Sequence, residues 1–244
     1  LGNGGTSDKL TPTLTSSLGP GRTAVALSSG MYHTCAILDN GSASCWGDGG
    51  YGQLGNGATS DKSTPTLTSS LGTGRTAVAL SSGYYHTCAI LDNGDASCWG
   101  KGEYGRLGNG GTSNKTTPTL TSSLGTGRTV ALSERDFNDD GALNIFQAHS
   151  MLDYRESTLS LGTFHTCAIL DNGSVSCWGM GDDGRLGNGG TSDKTTPTLT
   201  SSLGVTGRIA VALSSAEFHT CAILDNGDVS CWGNGYFGQL GNGA

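Results

Sequence analysis

Residues 83–110 read GYYHTCAILDNGDASCWGKGEYGRLGNG. Within them, HTCAIL (86–91) and DASCW (95–99) flank an Asp-Asn-Gly turn, the make-up of a β-hairpin whose glycine supplies the positive φ of the loop. The block recurs along the chain. HTCAILDNG begins at His33, His86, His165 and His219; LGNG begins at Leu1, Leu54, Leu107, Leu186 and Leu240. The LGNG steps are 53, 53, 79 and 54 residues, so there are four periods and the third carries an insertion. Self-similarity of this length marks a repeat architecture. The repeats are assigned to residues 1–53, 54–106, 107–185 (with the insertion at about 134–160) and 186–239; residues 240–244 open a further repeat or close a blade.

Each period reads as four short strands punctuated by Gly, Asn, Asp or Pro. In the second copy they are expected at 64–69, 76–81, 86–91 and 95–99. Four antiparallel strands repeated radially make an all-β propeller with only short exposed edges. A solenoid of stacked strands is the alternative; the meandering order and the period of about fifty residues favour blades.

Composition narrows the partners. Glycine, at 42 of 244 residues, is far above the usual ~7 %, and no G-X-Y period points to collagen. Only 14 % of residues are charged and the net charge is −7, which argues against nucleic acid, because phosphate contacts need clustered Lys and Arg. No apolar run approaches the ~20 residues of a membrane-spanning helix.

The eight cysteines form four pairs: Cys35 with Cys45, Cys88 with Cys98, Cys167 with Cys177, and Cys221 with Cys231. Reading Asp39-Asn40-Gly41 as a three-residue loop sets Leu38 opposite Ser42 and, three pairs on, Cys35 opposite Cys45. Cross-strand neighbours of this kind are within disulfide reach. Zinc is the rival reading, but C-x9-C within strands is not a zinc spacing. Disulfides imply an oxidising, extracellular setting.

The run at 83–110 resembles the repeat of the regulator of chromosome condensation family: a Gly-x-x-His-Thr start, a Leu–acidic–x-Gly turn, a Trp-Gly and a Gly-x-Leu-Gly close. The resemblance covers the whole chain except the insertion. It implies a β-propeller, and members with seven blades, whereas four periods are present here. The family's founding activity, nucleotide exchange on a small GTPase at chromatin, suits neither the acidic charge nor the disulfides. Light-sensing members use clustered tryptophans; here Trp46, Trp99, Trp178 and Trp232 occupy one strand position and read as packing between blades. Secreted bacterial members act by binding alone, and that precedent fits this chain best.

Several motifs carry less than they suggest. G-x-G-x-x-G, as at Gly47, Gly49 and Gly52, is followed by Leu-Gly-Asn-Gly and not by a helix, so it reads as turn glycines rather than a phosphate cradle. The four repeated histidines have no partnered carboxylate and read as structural hydrogen-bonding groups. No G-x-S-x-G nucleophile motif occurs. Sequons at Asn40, Asn114 and Asn172 are candidate glycosylation sites.

Differences between the copies concentrate at two places. Before the His-Thr-Cys strand stand Met31 and Tyr32, Tyr84 and Tyr85, Thr163 and Phe164, Glu217 and Phe218. After Cys-Trp-Gly stand Asp48, Gly50 and Tyr51; Lys101, Glu103 and Tyr104; Met180, Asp182 and Asp183; Asn234, Tyr236 and Phe237. The start of one hairpin strand and the end of the next share an edge, so both sites are expected on one face, opposite the Asp-Asn-Gly turns. That aromatic, mixed-charge face is the candidate surface for a protein or glycan partner. Neutral drift in exposed loops is the alternative.

The insertion is expected in the loop leading into His165, beside that face. It contains DFNDDGALNIFQ (136–147), which resembles the calcium loop of EF-hand and dockerin modules. By position Asp136, Asn138 and Asp140 offer side-chain oxygens, Ala142 a carbonyl and Asn144 a direct or water-mediated ligand, with Gly141 at the sharp turn. Gln147 stands where the motif wants a carboxylate. Residues 142–154 can form a short helix. The insertion's Asp136, Asp139, Asp140, His149, Asp153 and Glu156 are the one symmetry-breaking set of acids and bases, and their spacing matches no known catalytic set. The expectation is therefore a non-enzymatic extracellular binding or structural protein. Its repeat ends stand open for head-to-tail self-association; a closed four-bladed ring acting as a binding module and an excerpt of a longer array are the alternatives.

Overall fold

The computed structural model describes residues 1–125, 127–130, 158–203 and 208–242. Its strands group into four antiparallel sheets. The first contains β1 (Ala24–Ser29), β2 (His33–Leu38), β3 (Ala43–Gly47) and β4 (Lys62–Leu67), and the second β5 (Ala77–Ser82), β6 (His86–Leu91), β7 (Ala96–Gly100) and β8 (Lys115–Leu120). The third contains β9 (Leu159–Leu161), β10 (His165–Ile169), β11 (Val175–Gly179) and β12 (Lys194–Leu199); the fourth contains β13 (Ala210–Ser215), β14 (His219–Leu224) and β15 (Val229–Gly233). Each sheet meanders in chain order.

The sheets are out of phase with the sequence repeats by one strand. The run at 62–67 lies in the second repeat but pairs with β3 of the first sheet, Ser44 opposite Leu67 and Gly47 opposite Lys62. Every such outer strand carries a mid-strand proline, Pro65, Pro118 or Pro197. Proline lacks a backbone donor and belongs on an edge. Among the described residues the fourth sheet has three strands, and residues 9–14, KLTPTL in the same phase as KSTPTL, lie in no strand.

The hairpin register is as expected. Leu38 N–H donates to Ser42 O at 2.8 Å, and Cys35 faces Cys45. In the later hairpins Cys88 faces Cys98, Cys167 faces Cys177, and Cys221 faces Cys231. All four pairs are disulfides: Cys35 to Cys45, Cys88 to Cys98, Cys167 to Cys177 and Cys221 to Cys231, each with Cα–Cα 4.1 Å. Each closes a short loop and stabilises the hairpin by ~2–3 kcal/mol in the chain-entropy treatment.

The inner strands hold a bulge: Ala24 pairs with Leu38 and Ala26 with Ile37, leaving Val25 unpaired, and the second and fourth sheets repeat this. In the third sheet the chain leaves after Val130, which bridges Leu170, and returns so that Leu159 pairs with Ala168. The insertion therefore enters at the bulge, at the Asp-Asn-Gly end of the inner strand, and not in the loop before His165. A bulge already holds a residue outside the ladder, so the ladder tolerates added chain there. The candidate calcium positions Asp136, Asn138, Asp140, Ala142 and Asn144 lie outside the described residues.

The cores lie between sheets. One combines Cys35, Ile37 and Cys45 of the first sheet with Ala89, Leu91 and Trp99 of the second, and two more repeat this at the later junctions. One carbonyl organises each junction. Gln53 O accepts from Trp99 Nε1 at 2.9 Å and from Thr87 Oγ1 at 3.0 Å; Arg106 O and Arg185 O accept in the same way from Trp178 and Thr166, and from Trp232 and Thr220. Since each threonine hydroxyl spends its single proton on that carbonyl, it must accept from the histidine of the preceding blade. His33, His86 and His165 are thus Nε2–H tautomers donating to Thr87, Thr166 and Thr220 at 2.7, 3.0 and 2.7 Å. Their Nδ1 atoms are buried without partners, against Gly30, Gly83 and Gly162, where a Cβ would come within 2.6–2.7 Å of the imidazole Cε1.

Burial pushes the His33 pKa down to about 4 and that of His165 to about 3, and lowers His86 well below its ordinary value, with Arg106 adding to the effect. Neutral imidazole is what the fold holds, so stability is complete above about pH 6.5 and falls as pH drops toward the folded pKa values. Each histidine contributes a slope of about 1.4 kcal/mol per pH unit in that window. Urea unfolding between about pH 7 and pH 5 should show this loss, and His33→Gln, which keeps a neutral donor, should flatten the slope by one histidine's share. An unchanged slope would contradict the neutral-tautomer assignment.

Candidate recognition face

Hydrogen bonds bring the two variable segments together at one end of every sheet. Asp48 N donates to Tyr32 O, Lys101 N to Tyr85 O, Met180 N to Phe164 O and Asn234 N to Phe218 O, at 2.9–3.0 Å. The opposite end carries one exposed arginine–aspartate pair per blade, such as Arg22–Asp39 and Arg75–Asp92. Surface pairs of this kind contribute little to stability.

Aromatic rings cross the blade junctions on the variable face. At the first, Tyr51 packs on Tyr85 (ring centroids 4.8 Å apart), Tyr84 on Tyr85 (4.3 Å) and Tyr32 edge-on to Tyr84 (5.5 Å). The Lys101 ammonium lies 5.0 Å from the Tyr51 ring and 5.6 Å from Tyr85, within cation–π range. It also meets Glu103 at 2.6 Å and holds that carboxyl below its ordinary pKa. At the second junction Tyr104 meets Phe164 edge-on at 5.9 Å. In the fourth repeat Tyr236 and Phe237 pack on each other at 4.9 Å with both rings in solvent. Asp182 and Asp183 are exposed, Met180 is half-buried and Phe218 is exposed at the third junction.

The sequence reading missed Arg106 and Arg185, which support this face from below. Arg106 is fully buried; its Nε donates to Glu103 O and its Nη1 crosses to Thr163 O of the next blade, both at 2.9 Å. Its guanidinium lies 5.5 Å from the Tyr104 ring and 5.4 Å from Phe164. Arg185 repeats the arrangement with Asp182 O, Glu217 O and the Phe218 ring. Tyr104 and Asp183, each two residues before its arginine, are the non-glycine residues with positive φ among those described (63° and 58°), a strained conformation that surrounding bonds must hold. At the first junction Gln53 takes this place, with its Oε1 accepting from Tyr51 N. The signal was available: Gln53, Arg106, Arg185 and Gln239 vary inside an otherwise constant Gly-x-Leu-Gly close.

The matches to known proteins agree with this geometry. The family model described as the regulator of chromosome condensation (RCC1) repeat matches residues 40–90, 93–133 and 172–223, more than half of the chain, and a second RCC1 repeat model matches residues 24–53, 77–106, 157–185 and 210–239. The chain belongs to the RCC1 repeat family. It is 32 % identical over 226 residues to the ultraviolet-B receptor UVR8 of Arabidopsis thaliana, 92 % of this chain and 44 % of the receptor. It superposes on human WBSCR16 with a TM-score of 0.72 at 20 % identity, covering 91 % of this chain and 50 % of that one. It superposes on Saccharomyces cerevisiae Prp20p, a protein with described binding to Gsp1p and histones, with a TM-score of 0.60 at 16 % identity, covering 86 % and 44 %. The chain spans half or less of the length of these proteins.

Arg106→Met keeps the aliphatic stem but removes the bond to Thr163 and the contact with both rings. It should destabilise the chain by about 2–3 kcal/mol, as expected when a buried charged donor is lost and its acceptors are left unpaired. Urea midpoints measure this, and Arg106→Lys, which lacks the planar fork, should not restore it.

Proposed function

We propose that this RCC1-type chain is a non-catalytic extracellular recognition module that holds a protein partner on its aromatic face. One observation carries the reading: four near-identical blades differ from one another chiefly at one end, and that end presents Tyr32, Tyr51, Tyr84, Tyr85, Tyr104 and Phe164 as a row across the junctions. Rigid tyrosines give large contact area at low entropic cost, and central aromatic residues dominate the energetics of many interfaces. The four disulfides support the extracellular setting. A glycan is the competing ligand for the same rings.

A peptide library selected on the immobilised chain, run beside a glycan array, tests this. Tyr84→Ala combined with Tyr85→Ala should weaken the selected peptides roughly 10- to 100-fold, the effect of losing a central aromatic anchor. Arg22→Ala at the opposite end should leave them unchanged. Equal binding by both variants, or hits confined to glycans, would refute the protein-partner reading.

Two further readings accompany it. The loop at 136–147 is proposed to bind calcium on its D-x-N-x-D-G spacing. Calcium should raise the melting temperature, and Asp136→Ala with Asp140→Ala should abolish the shift; no shift in the parent chain would remove calcium from the proposal. Head-to-tail association of copies is proposed on the likeness of the blades, each of which packs on the next through the same strand positions.

A further inference from the structure

Cations already sit on the rings of the variable face, and each is backed by a carboxylate. At the second junction the Arg106 guanidinium lies 5.5 Å from the Tyr104 ring and 5.4 Å from Phe164, with its Nη2 3.6 Å from the Glu103 carboxylate. At the third, Arg185 lies 5.5 Å from the Phe218 ring and 3.3 Å from the Asp183 carboxylate. The first junction departs from this pattern. Gln53 stands in the arginine's place; it brings no charge, and its Nε2 is buried without a partner. The ring pair of Tyr51 and Tyr85 is covered instead by the Lys101 ammonium, at 5.0 and 5.6 Å, held by Glu103 at 2.6 Å. Arg106 and Arg185 are fixed from beneath by bonds across their junctions, and their side chains are 0 % and 3 % exposed; that of Lys101 is 22 % exposed. Among the described residues its charged end meets only the two rings and Glu103. The corresponding positions hold Asp48, Met180 and Asn234, and the backbone N–H bonds alike at all four, so the fold does not require a lysine there.

Lysine is the weaker occupant of such a site. An ammonium is a compact, strongly hydrated charge. A guanidinium is planar and less hydrated, stacks on aromatic faces and pairs with a carboxylate through two parallel bonds. The surrounding charge also favours an incoming cation. The two variable segments carry Asp48, Glu103, Asp182, Asp183 and Glu217 against Lys101, with Arg106 and Arg185 buried below them. At the rim Lys62, Lys115 and Lys194 begin the outer strands, and Asp61 and Asp193 directly precede two of them, so the rim adds little net charge. We infer that the partner is a basic peptide segment and that Lys101 holds the place of its arginine. The arriving guanidinium lies on Tyr51 and Tyr85 and pairs with Glu103, and the lysine is released to solvent. This rests on the protein-partner reading and gives that partner its chemistry. Lys101 is thereby an internal competitor for the site, and an acidic peptide is excluded by the same charges.

Selection of a random phage-displayed peptide library on the immobilised parent chain, followed by titration of the selected peptides, tests the inference. Peptides whose binding is lost in Tyr84→Ala with Tyr85→Ala should be rich in arginine and poor in aspartate and glutamate. Replacing the peptide's arginine by lysine should weaken them roughly 3- to 10-fold. Lys101→Ala should tighten the arginine peptides by about the same factor, because it removes the competitor, and Glu103→Gln should weaken them as much. Both positions are partly exposed, Lys101 at 22 % and Glu103 at 45 % of the side chain, and both variants should keep the circular dichroism of the parent chain. Peptides that depend on Tyr84 and Tyr85 yet are acidic or uncharged, or that bind Lys101→Ala no more tightly than the parent, would overturn the arginine inference and leave the protein-partner reading standing. A library yielding no peptide that depends on these tyrosines would overturn both.

Discussion

Each blade is held to the next through one backbone carbonyl. At Gln53, Arg106 and Arg185 both lone pairs of that carbonyl are used by the following blade, one by a tryptophan indole and one by a threonine hydroxyl. The same hydroxyl then has only acceptor capacity left for the histidine of the preceding blade. Three groups from two blades are thus fixed by one hydrogen-bond count, in a space closed to water. The constancy of His-Thr-Cys and Cys-Trp-Gly follows from this. Replacing any member leaves a buried donor or acceptor without a partner, and the penalty for that exceeds the net value of an ordinary hydrogen bond.

With the junctions set in this way, the disulfides lie where the blades meet. Cys35 is fully buried, 4.0 Å from the Thr87 hydroxyl of the next blade, and Cys167 stands in the same relation to Thr220 at 3.9 Å. Their partners Cys45 and Cys177 are fully buried as well, as is Cys98 in the second blade. In the fourth sheet Cys221 and Cys231 are half-buried. The cross-link therefore stiffens the hairpin at the point where it contacts its neighbour. Small blades with few large apolar side chains bury limited surface, and a covalent tie in each hairpin adds stability that the core alone does not supply.

Variation is admitted where this network ends. At the variable edge the chain has passed the last cross-strand pair, and its backbone bonds, such as Lys101 N to Tyr85 O, do not depend on side-chain identity. Aromatic and charged residues change there without cost to the junction. The arginines link the two regimes: Arg106 and Arg185 reach across a junction, hold a strained turn, and support the rings that face solvent. The inner-strand bulge is a second permissive point, since Val25, Val78 and Val211 stand outside the ladder, and the inserted chain of the third blade departs from the same position.

The sequence alone was sufficient for the hairpin register, the four disulfides, the repeated blade and the sharing of one edge by the two variable segments. These follow from strand alternation and turn length, which act over a few residues. It did not reveal that residues 62–67 leave their own repeat to complete the preceding sheet, because strand composition does not name a partner. Nor did it place the insertion: Val130 bridges Leu170 and Leu159 already pairs with Ala168, so the added chain lies before the inner strand is complete and not in the loop before His165. The roles of Arg106 and Arg185 were equally hidden, since a charged residue beside glycines reads as surface until the next blade buries it. Local chemistry determined what each blade is; only the packing of one blade on another decided which polar groups are satisfied and which strands are shared.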